Sequence, residues 1–191
     1  MTQPIPFSRF PSITTERLHL RQILSTDAEA LFAIKSDLEV TKQYGQEPHQ
    51  TINNTLTWIE RLQASYQGGE DFAWCITFKG QDTLIGLCVL WNFDSGFHRA
   101  EIGYELHPAI GRQGIMTEAV SAILNFGFNE LGLHRIEANP LAGNISSKSL
   151  LLKLGFTHEG NLRQRHFFRG HFEDQLYFGL LREEWAQKQN G

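Results

Sequence analysis

The sequence predicts a single α+β domain in which strands come first and a strand–helix–strand–helix unit follows. Three apolar runs between residues 72 and 106 are separated by short turn segments, as in an antiparallel meander. In the second half, amphipathic helical patterns alternate with short strands. The 191 residues contain no repeat, low-complexity tract or linker. We therefore expect one domain over residues 1–191, with 1–14 as a loosely ordered N-terminal extension.

The first half of the chain opens with a half-buried strand, because apolar and polar residues alternate over residues 16–23. Residues 25–36 are predicted to form a helix, with Thr26 and Glu29 spaced as a capping box at its start. A second helix is predicted over residues 51–69, where apolar residues recur at helical spacing before a glycine pair.

The same patterns define the remaining elements. In order, they are strands over 72–78, 83–93 and 98–106, a helix over 117–131, a strand over 134–140, a helix over 144–156 and a strand over 174–181. Gly155 followed by Phe156 is a typical end of a helix, because glycine adopts the left-handed conformation of a C-terminal cap.

Composition excludes several classes of protein. Hydrophobic residues make up 41% and charged residues 20% of the chain, which is ordinary for a soluble globular domain. The net charge of −4 argues against a general nucleic-acid binder. No apolar run reaches the roughly 18 residues of a membrane helix, and the N-terminus lacks the apolar stretch of a signal peptide. We expect a cytoplasmic protein with no nucleic-acid or membrane partner.

Cysteines and histidines do not indicate a metal site. Cys75 and Cys88 both lie within apolar runs, and two such cysteines make neither a disulfide framework nor a zinc site. The eight histidines form no H-x-x-x-H or H-E-x-x-H pattern. We therefore expect no metal and interpret the two thiols as small core residues.

A glycine-bearing turn joins a strand to a helix in the segment "ELHPAIGRQGIMTEAV", residues 105–120. Such a turn aims several backbone N–H groups and the positive end of the helix dipole at one point, which suits a phosphate. The patterns G-x-x-x-x-G-K-[ST] and G-x-G-x-x-G are absent, so neither a nucleoside-triphosphate site nor a dinucleotide site is indicated. Taken alone, the turn remains either a phosphate site or an ordinary connection.

The order of motifs around this turn carries a family resemblance. Strand "AEIGYELHP", turn "GRQGIM", helix start "TEAV", strand "HRIEANP" and helix "NISSKSLLLKLGF" follow one another at close range. Here the chain resembles the GNAT N-acetyltransferase superfamily, and within it the ribosomal-protein N-acetyltransferase (RimJ/RimL-like) branch. The opening "TERLHLRQ" and the tail "GFTHEGNLRQRHFFRGHFEDQLYFGLLREEW" also resemble that branch, so the resemblance runs from about Thr15 to Trp185.

The resemblance implies a mixed, mostly antiparallel twisted sheet of about seven strands flanked by about four helices. It also implies that the turn binds the diphosphate of acetyl-CoA, the co-substrate. In the family pattern Q/R-x-x-G-x-G/A the central glycine is Gly114, whereas Gly111 and Met116 depart from the pattern. The residues that the resemblance assigns to acetyl-CoA are Leu106, His107, Arg112, Gln113, Gly114, Ile115, Met116, Thr117, Asn144 and Ser147.

The leaving thiolate needs a hydrogen-bond donor. The family's N-x-x-S helix start falls on Asn144 and Ser147, whose i, i+3 spacing puts both on one helical face. The resemblance implies that Asn144 holds the pantetheine arm and that Ser147 faces the sulfur, because residues 140–160 contain no tyrosine. The alternative interpretation is that Asn144 is only a helix N-cap.

A base must accept the proton of the attacking amine, and carboxylates of the strand over 98–106 are candidates. Glu101 is the preferred base, and Glu105 shares its face by strand alternation. An exposed strand carboxylate is the alternative for Glu101, and His107 is interpreted as a surface histidine. The resemblance places the oxyanion donor at a backbone N–H near Leu106, where this strand parts from its neighbour.

These residues indicate direct transfer of an acetyl group from acetyl-CoA to a primary amine in a ternary complex. Because an α-amine titrates about 2.5 units below lysine, roughly 3.5 kcal/mol, a modest base favours the N-terminal α-amine of a protein. A small-molecule amine such as a polyamine, an amino acid or an antibiotic, and a non-catalytic acyl-CoA-binding module, remain alternatives. A homodimer is compatible with the sequence.

The tail contains a basic and aromatic cluster whose role stays open. This cluster either borders the acceptor groove, contacts the adenine side of the coenzyme or forms a solvated loop. Its members are Arg163, Arg165, His166, Arg169 and His171.

Overall fold

A single eight-stranded sheet runs through the computed structural model, which describes residues 9–94, 96 and 98–190. The strand order is β1-β2-β3-β4-β5-β6-β8-β7, and only β5 and β6 pair in parallel. This confirms the expected mixed, mostly antiparallel sheet, with eight strands instead of about seven. The strands are β1 (Ile13–Thr14), β2 (Leu18–Gln22), β3 (Phe72–Phe78), β4 (Gly86–Asp94), β5 (Arg99–Leu106), β6 (Arg135–Ala138), β7 (Thr157–Phe168) and β8 (His171–Leu181).

The described residues contain six α-helices, instead of the expected number of about four. The additional helices are the single turn α2 and the C-terminal α6, which are too short or too polar to give a clear apolar stripe. In the described part of the chain, no helix combines the length and apolar character needed to cross a bilayer. The helices are α1 (Ala28–Lys35), α2 (Leu38–Thr41), α3 (Ile52–Gln67), α4 (Ile115–Asn129), α5 (Ile145–Leu154) and α6 (Arg182–Asn190).

Each face of the sheet carries its own hydrophobic core. In β3, Trp74 and Ile76 belong to the larger core, which they share with residues of α4, α5 and α6. Cys75, on the opposite face, belongs to the smaller core with residues of α1 and α3. Because both faces are covered, β3 is an almost continuous apolar run and not an alternating one.

The two cysteines are buried and not bridged, as the sequence predicts. Burial raises the pKa of Cys75 to about 12, and burial also raises the pKa of Cys88. Both thiols therefore stay neutral near pH 7, which makes them packing residues and poor nucleophiles.

The pairing of β5 with β6 is short, and this creates an opening in the sheet. The two strands pair only over Arg99–Glu101 and Arg135–Glu137. Beyond Glu101, β5 continues to Leu106 beside β4, whereas β6 ends at Ala138. The two strands part at this point, and the edge of β5 over residues 102–106 is left without a strand partner on that side.

The start of helix α1 differs from the sequence prediction. Helix α1 is preceded by a 3-10 turn in which the carboxylate of Asp27, and not a Thr26–Glu29 box, accepts the N–H of Leu24 at 2.8 Å. The reason is that Asp27 also pairs with Arg21, with an N–O distance of 2.7 Å, which fixes the carboxylate beneath the turn.

The N-terminal extension is packed where the structure describes it. The Phe10 ring packs edge-on against Trp74, whose indole N–H donates to the carbonyl of Pro11 at 2.8 Å. Ile13–Thr14 pairs with β2. Residues 10–14 thus contact the sheet, residues 1–8 lie outside the described part of the chain, and the loose order of the extension 1–14 stays a prediction.

The basic cluster of the tail lies on the β7–β8 hairpin, and all of its members except His166 are exposed to solvent. Strands β7 and β8 pair along most of their length, with an irregularity between Leu162 and His166. The Asp174 carboxylate accepts the N–H of Gln164 at 2.8 Å and the side-chain amide of Asn161 at 2.9 Å, which stabilises this irregular stretch.

A half-buried carboxylate, Glu118, connects α4 to the beginning of the sheet. The hydroxyl of Thr15 donates to Glu118 at 2.5 Å, and Arg17 donates through its backbone N–H at 2.9 Å and its Nε at 2.6 Å. Burial alone would raise the pKa of Glu118, but these hydrogen bonds outweigh burial and lower it. Glu118 lies in the first turn of α4, so this network fixes the start of that helix.

Substituting Glu118→Gln should lower the free energy of unfolding by about 1.5–3 kcal/mol at neutral pH, because hydrogen bonds to a charged acceptor are lost. A lowered folded-state pKa contributes stability above the unfolded-state value and loses it as the pH falls through the folded-state value. The difference between wild type and variant should therefore shrink towards about pH 3. Urea unfolding at both pH values tests this, with the exposed Glu130→Gln as control. An equal difference at both pH values would contradict the role of the charge.

Candidate active site

A cavity of about 540 Å³ lies where β5 and β6 part. Its walls come from α1, α3, β4, β5 and α5, together with the segment after β6 and the connection between α2 and α3. Because the sheet is open at this point, side chains from both of its faces reach the same space. Among the predicted site residues, Glu101, Asn144 and Ser147 line this cavity.

Two hydroxyl groups meet on the α5 side of the cavity. Tyr104 points from β5 towards α5, and its phenolic oxygen lies 2.8 Å from Oγ of Ser147. Burial raises the pKa of Tyr104, so its hydroxyl stays protonated at neutral pH. One hydroxyl donates to the other, which leaves the second proton free for a ligand atom.

Asn144 fixes the start of the helix that carries Ser147. Its side-chain oxygen accepts the backbone N–H of Ser147 at 3.0 Å, which is the N-cap contact of α5. Its amide nitrogen donates to the carbonyl of Gln43 at 3.2 Å. Asn144 therefore has the geometry of the helix-cap alternative, and contact with a pantetheine arm stays a prediction.

Glu101 lies on the opposite face of β5, at the point where β5 and β6 part. Asn92 donates to its Oε1 at 2.6 Å, and Asn139 donates to its Oε2 at 3.1 Å. Both partners are neutral amides, and within the described residues no cation forms an ion pair with Glu101. The carboxylate therefore has no neutralising cation among the described residues and still has lone pairs for a further donor.

Glu105, four residues further along β5 and on the same face, is paired with a cation. Lys35 of α1 lies 2.9 Å from its Oε1, and the side chains of this pair are only 8% and 6% exposed. The hydroxyl of Tyr44 donates to its Oε2 at 2.9 Å. Lys35 also lies 4.1 Å from the ring centre of Trp58. Glu105 is thus neutralised by a buried cation, whereas Glu101 is not.

The glycine turn follows the end of β5 and is exposed to solvent. Gly114 has a φ of +75° and is the N-cap of α4, and Arg112 has a φ of +63°. The first N–H groups of α4 have no partner within the helix. Arg17 holds the turn by donating to the carbonyl of Gln113 at 3.0 Å. The turn presents free donors next to two arginines.

Other residues predicted to bind acetyl-CoA lie at the end of β5 and at the start of α4. The N–H of His107 donates to the carbonyl of Ile85 at 2.8 Å, so alternation directs the N–H groups of Tyr104 and Leu106 to the open edge of β5. The side chain of Ile115 is buried in the core, which leaves only its backbone for a ligand. Met116 packs against the same core.

The segment between α2 and α3 covers part of the cavity and is held by the hairpin. The side-chain nitrogen Nε2 of His166 lies 3.1 Å from the carbonyl of Gly45, and a Cβ at Gly45 would overlap the His166 ring. Arg169 donates twice to Glu47, at 2.9 and 2.6 Å. Of the basic cluster, His166 thus borders the cavity, while Arg169 is engaged outside it.

Sequence reasoning missed the side chains that complete the cavity. Tyr104, Lys35 and Tyr44 lie in no motif that would indicate a site. Strand alternation does separate Tyr104 from Glu101, but only the folded structure brings α1 and α5 to the two sides of β5. The described residues contain no group of three side chains suited to hold a metal ion.

Comparisons with known proteins agree with this geometry. Residues 17–157 match the acetyltransferase (GNAT) domain. The chain is 39% identical over 173 residues to an uncharacterized N-acetyltransferase, YoaA of Bacillus subtilis (strain 168), covering 91% of this chain and 98% of the relative. It is 25% identical over 183 residues to the [ribosomal protein uS5]-alanine N-acetyltransferase of Escherichia coli (strain K12), covering 91% and 92%.

A solved structure shows the same fold with a bound coenzyme. The ribosomal L7/L12 α-N-protein acetyltransferase RimL, solved in complex with coenzyme A, superposes with a TM-score of 0.82 at 19% identity, covering 90% of this chain and 98% of that chain. The family match covers most of the chain, from the first long strand to the start of β7. The chain is therefore a member of the GNAT acetyltransferase family and an N-acetyltransferase.

Proposed function

We propose that this protein is a cytoplasmic enzyme that transfers the acetyl group of acetyl-CoA directly to a primary amine, the N-terminal α-amine of a protein. One observation carries the proposal: the parting of β5 and β6 joins a cation-free carboxylate and a pair of hydroxyls in one cavity, next to the glycine turn. The ribosomal-protein acetyltransferases among its relatives support the choice of acceptor. A small-molecule amine is the second candidate, favoured by the cavity volume of about 540 Å³, which is in the usual range of small-ligand sites.

Acetyl-CoA would bind along the open edge of β5. Its diphosphate would sit at the turn around Gly114, where free N–H groups and the helix dipole favour an anion. The pantetheine arm would then follow β5 through the opening, where the N–H groups of Tyr104 and Leu106 face the missing strand partner. This path brings the thioester to the cavity, beside Ser147.

Glu101 would accept the proton that the amine loses. Only a neutral amine can attack the thioester carbonyl, and an amine is largely protonated at neutral pH. The amine nitrogen forms a bond to the carbonyl carbon, and its proton passes to Glu101 directly or through water. The oxygen of the tetrahedral intermediate would accept the N–H of Leu106, a donor that is fixed before the reaction begins.

The hydroxyl pair would stabilise the leaving group. As the C–S bond breaks, the electron pair moves to sulfur, which takes up a proton to give free coenzyme A. Serine and tyrosine hydroxyls are weaker acids than a thiol of pKa about 8.5, so they stabilise the thiolate by hydrogen bonding and the final proton comes from solvent. Tyr104 and Ser147 would act together, since one hydroxyl orients the other.

Substituting Gly114→Val should weaken acetyl-CoA binding about tenfold or more. A branched side chain is strained at a φ of +75° and would occupy the space in front of the free N–H groups. Isothermal calorimetry with coenzyme A measures the effect. Gly170→Val is the matched control, because Gly170 has a φ of +84° but lies at the tip of the β7–β8 hairpin. Unchanged affinity for the Gly114 variant would exclude the turn as the diphosphate site.

Substituting Glu101→Gln should lower kcat/KM about 100-fold on the acidic side of the pH profile, where the amine is mostly protonated and a base matters most. The loss should shrink as the pH approaches the pKa of the amine. Steady-state rates between about pH 6 and 9 test this, with Glu130→Gln as a surface control. Wild-type rates at the acidic end would show that Glu101 is only a structural carboxylate.

Substituting Ser147→Ala should reduce kcat by about 10- to 150-fold with a smaller change in the KM for acetyl-CoA, because a donor to sulfur acts mainly in the transition state. Tyr104→Phe should have the same signature, and the double variant should lose less than the product of both effects. The exposed Ser149→Ala on the same helix is the control. A normal kcat in the Ser147 variant, with reduced thermal stability, would leave Ser147 a packing role only.

A further inference from the structure

Three side chains form a row across the sheet on the α1–α3 side of the cavity. The strand register places Trp91 of β4 opposite Glu101 of β5. Phe72 of β3 pairs with Leu90, so Asp71, one residue before β3, lies next to Trp91 on its other side. All three line the cavity. Because neighbouring strands are about 4.8 Å apart, Asp71 and Glu101 lie roughly 10 Å apart along the row, with the indole between them.

Both carboxylates of this row lack a cation. Asp71 accepts the hydroxyl of Ser65 at 2.7 Å, and Glu101 accepts two amide groups. Within the described residues neither forms an ion pair, whereas Glu105 in the same cavity is neutralised by Lys35. Burial raises the pKa of Asp71, the expected result for a half-buried carboxylate without a positive partner.

The space between the two carboxylates is apolar. The Trp91 ring lies over Gly103, where a Cβ would come within 2.6 Å of the indole, so the ring is held over the strand. Leu62 of α3 and Val89 of β4 line the same side of the cavity. An indole face and aliphatic side chains favour methylene groups and tolerate a nearby ammonium group.

We propose that the acceptor amine carries a second cationic group, which Asp71 binds while Glu101 faces the amine that is acetylated. The proposal rests on the proposed acetyl transfer and narrows its substrate class to primary amines joined by an aliphatic spacer to an ammonium or guanidinium group. Two sources share this chemistry: a free diamine or polyamine, and a peptide whose N-terminal residue is basic. Trp91 provides the surface over which the spacer extends.

The experiment compares matched acceptors with the full-length wild-type enzyme and acetyl-CoA. One arm uses linear α,ω-diaminoalkanes and the monoamines of equal length. The other arm uses peptides with N-terminal lysine and the same peptides with N-terminal norleucine, its uncharged counterpart. At least one dicationic acceptor should exceed its monocationic counterpart about tenfold or more in kcat/KM, the effect of one added contact to a charged group. A preference in the diamine arm would identify a free diamine or polyamine as the acceptor, and a preference in the peptide arm would identify a basic N-terminal residue.

In the variant Asp71→Asn, the ratio of kcat/KM for the dicationic acceptor to kcat/KM for its monocationic counterpart should fall close to one, because the substitution removes the charge of the side chain and keeps its shape. Glu70→Gln is the matched control, since the neighbouring carboxylate does not line the cavity and should leave the ratio unchanged. Acetylation of amines with no preference for a second cation in either arm would overturn this inference and leave the proposed function intact. A preference that survives in Asp71→Asn would also overturn it. Absence of acetyl transfer to any amine would instead contradict the proposed function.

Discussion

The parting of β5 and β6 is the constraint on which the site depends. The two strands pair over only three residues, so the edge of β5 beyond Glu101 has no strand partner on the side of β6. Backbone donors on such an edge can bind an extended ligand that takes the place of the missing strand. The same opening lets side chains from both faces of the sheet meet. The proposed binding path of the coenzyme and the candidate catalytic side chains therefore both depend on the parting of β5 and β6.

Differences in charge pairing separate carboxylates that look alike in the sequence. Glu101 and Glu105 share a face of β5, yet the buried ammonium of Lys35 neutralises only Glu105. Removing one partner of such a buried pair is costly, because it leaves an uncompensated charge, and this gives Glu105 a structural role. Glu101 instead accepts hydrogen bonds from two neutral amides and stays without a cationic partner among the described residues.

The sequence predicted most of the fold because its signals are local. Apolar runs between turns located the meander of β3, β4 and β5, and helical spacing and glycine caps located the helices α3, α4 and α5. The capping box at Thr26 was wrong because a long-range pair with Arg21 selects Asp27 instead. The hairpin strand β7 gave no signal, since it lies at the sheet edge and is largely exposed, without an apolar face.

The candidate site was predictable only in part, because sequence motifs are local and several contacts of the site are long-range. Asn144, Ser147 and Gly114 lie in motifs, and Glu101 lies on a strand of clear alternation. Tyr104 reaches Ser147 across 43 residues of chain, and Asp71 reaches the row of Glu101 through two strand pairings. Such contacts follow from topology, which short sequence patterns do not contain.

The most direct test of the proposed site is a crystal structure of the protein with coenzyme A. We expect the diphosphate at the turn around Gly114, the pantetheine arm along the open edge of β5, and the sulfur within hydrogen-bonding reach of Ser147. A coenzyme that binds away from the opening between β5 and β6, or whose sulfur faces neither Ser147 nor Tyr104, would contradict it.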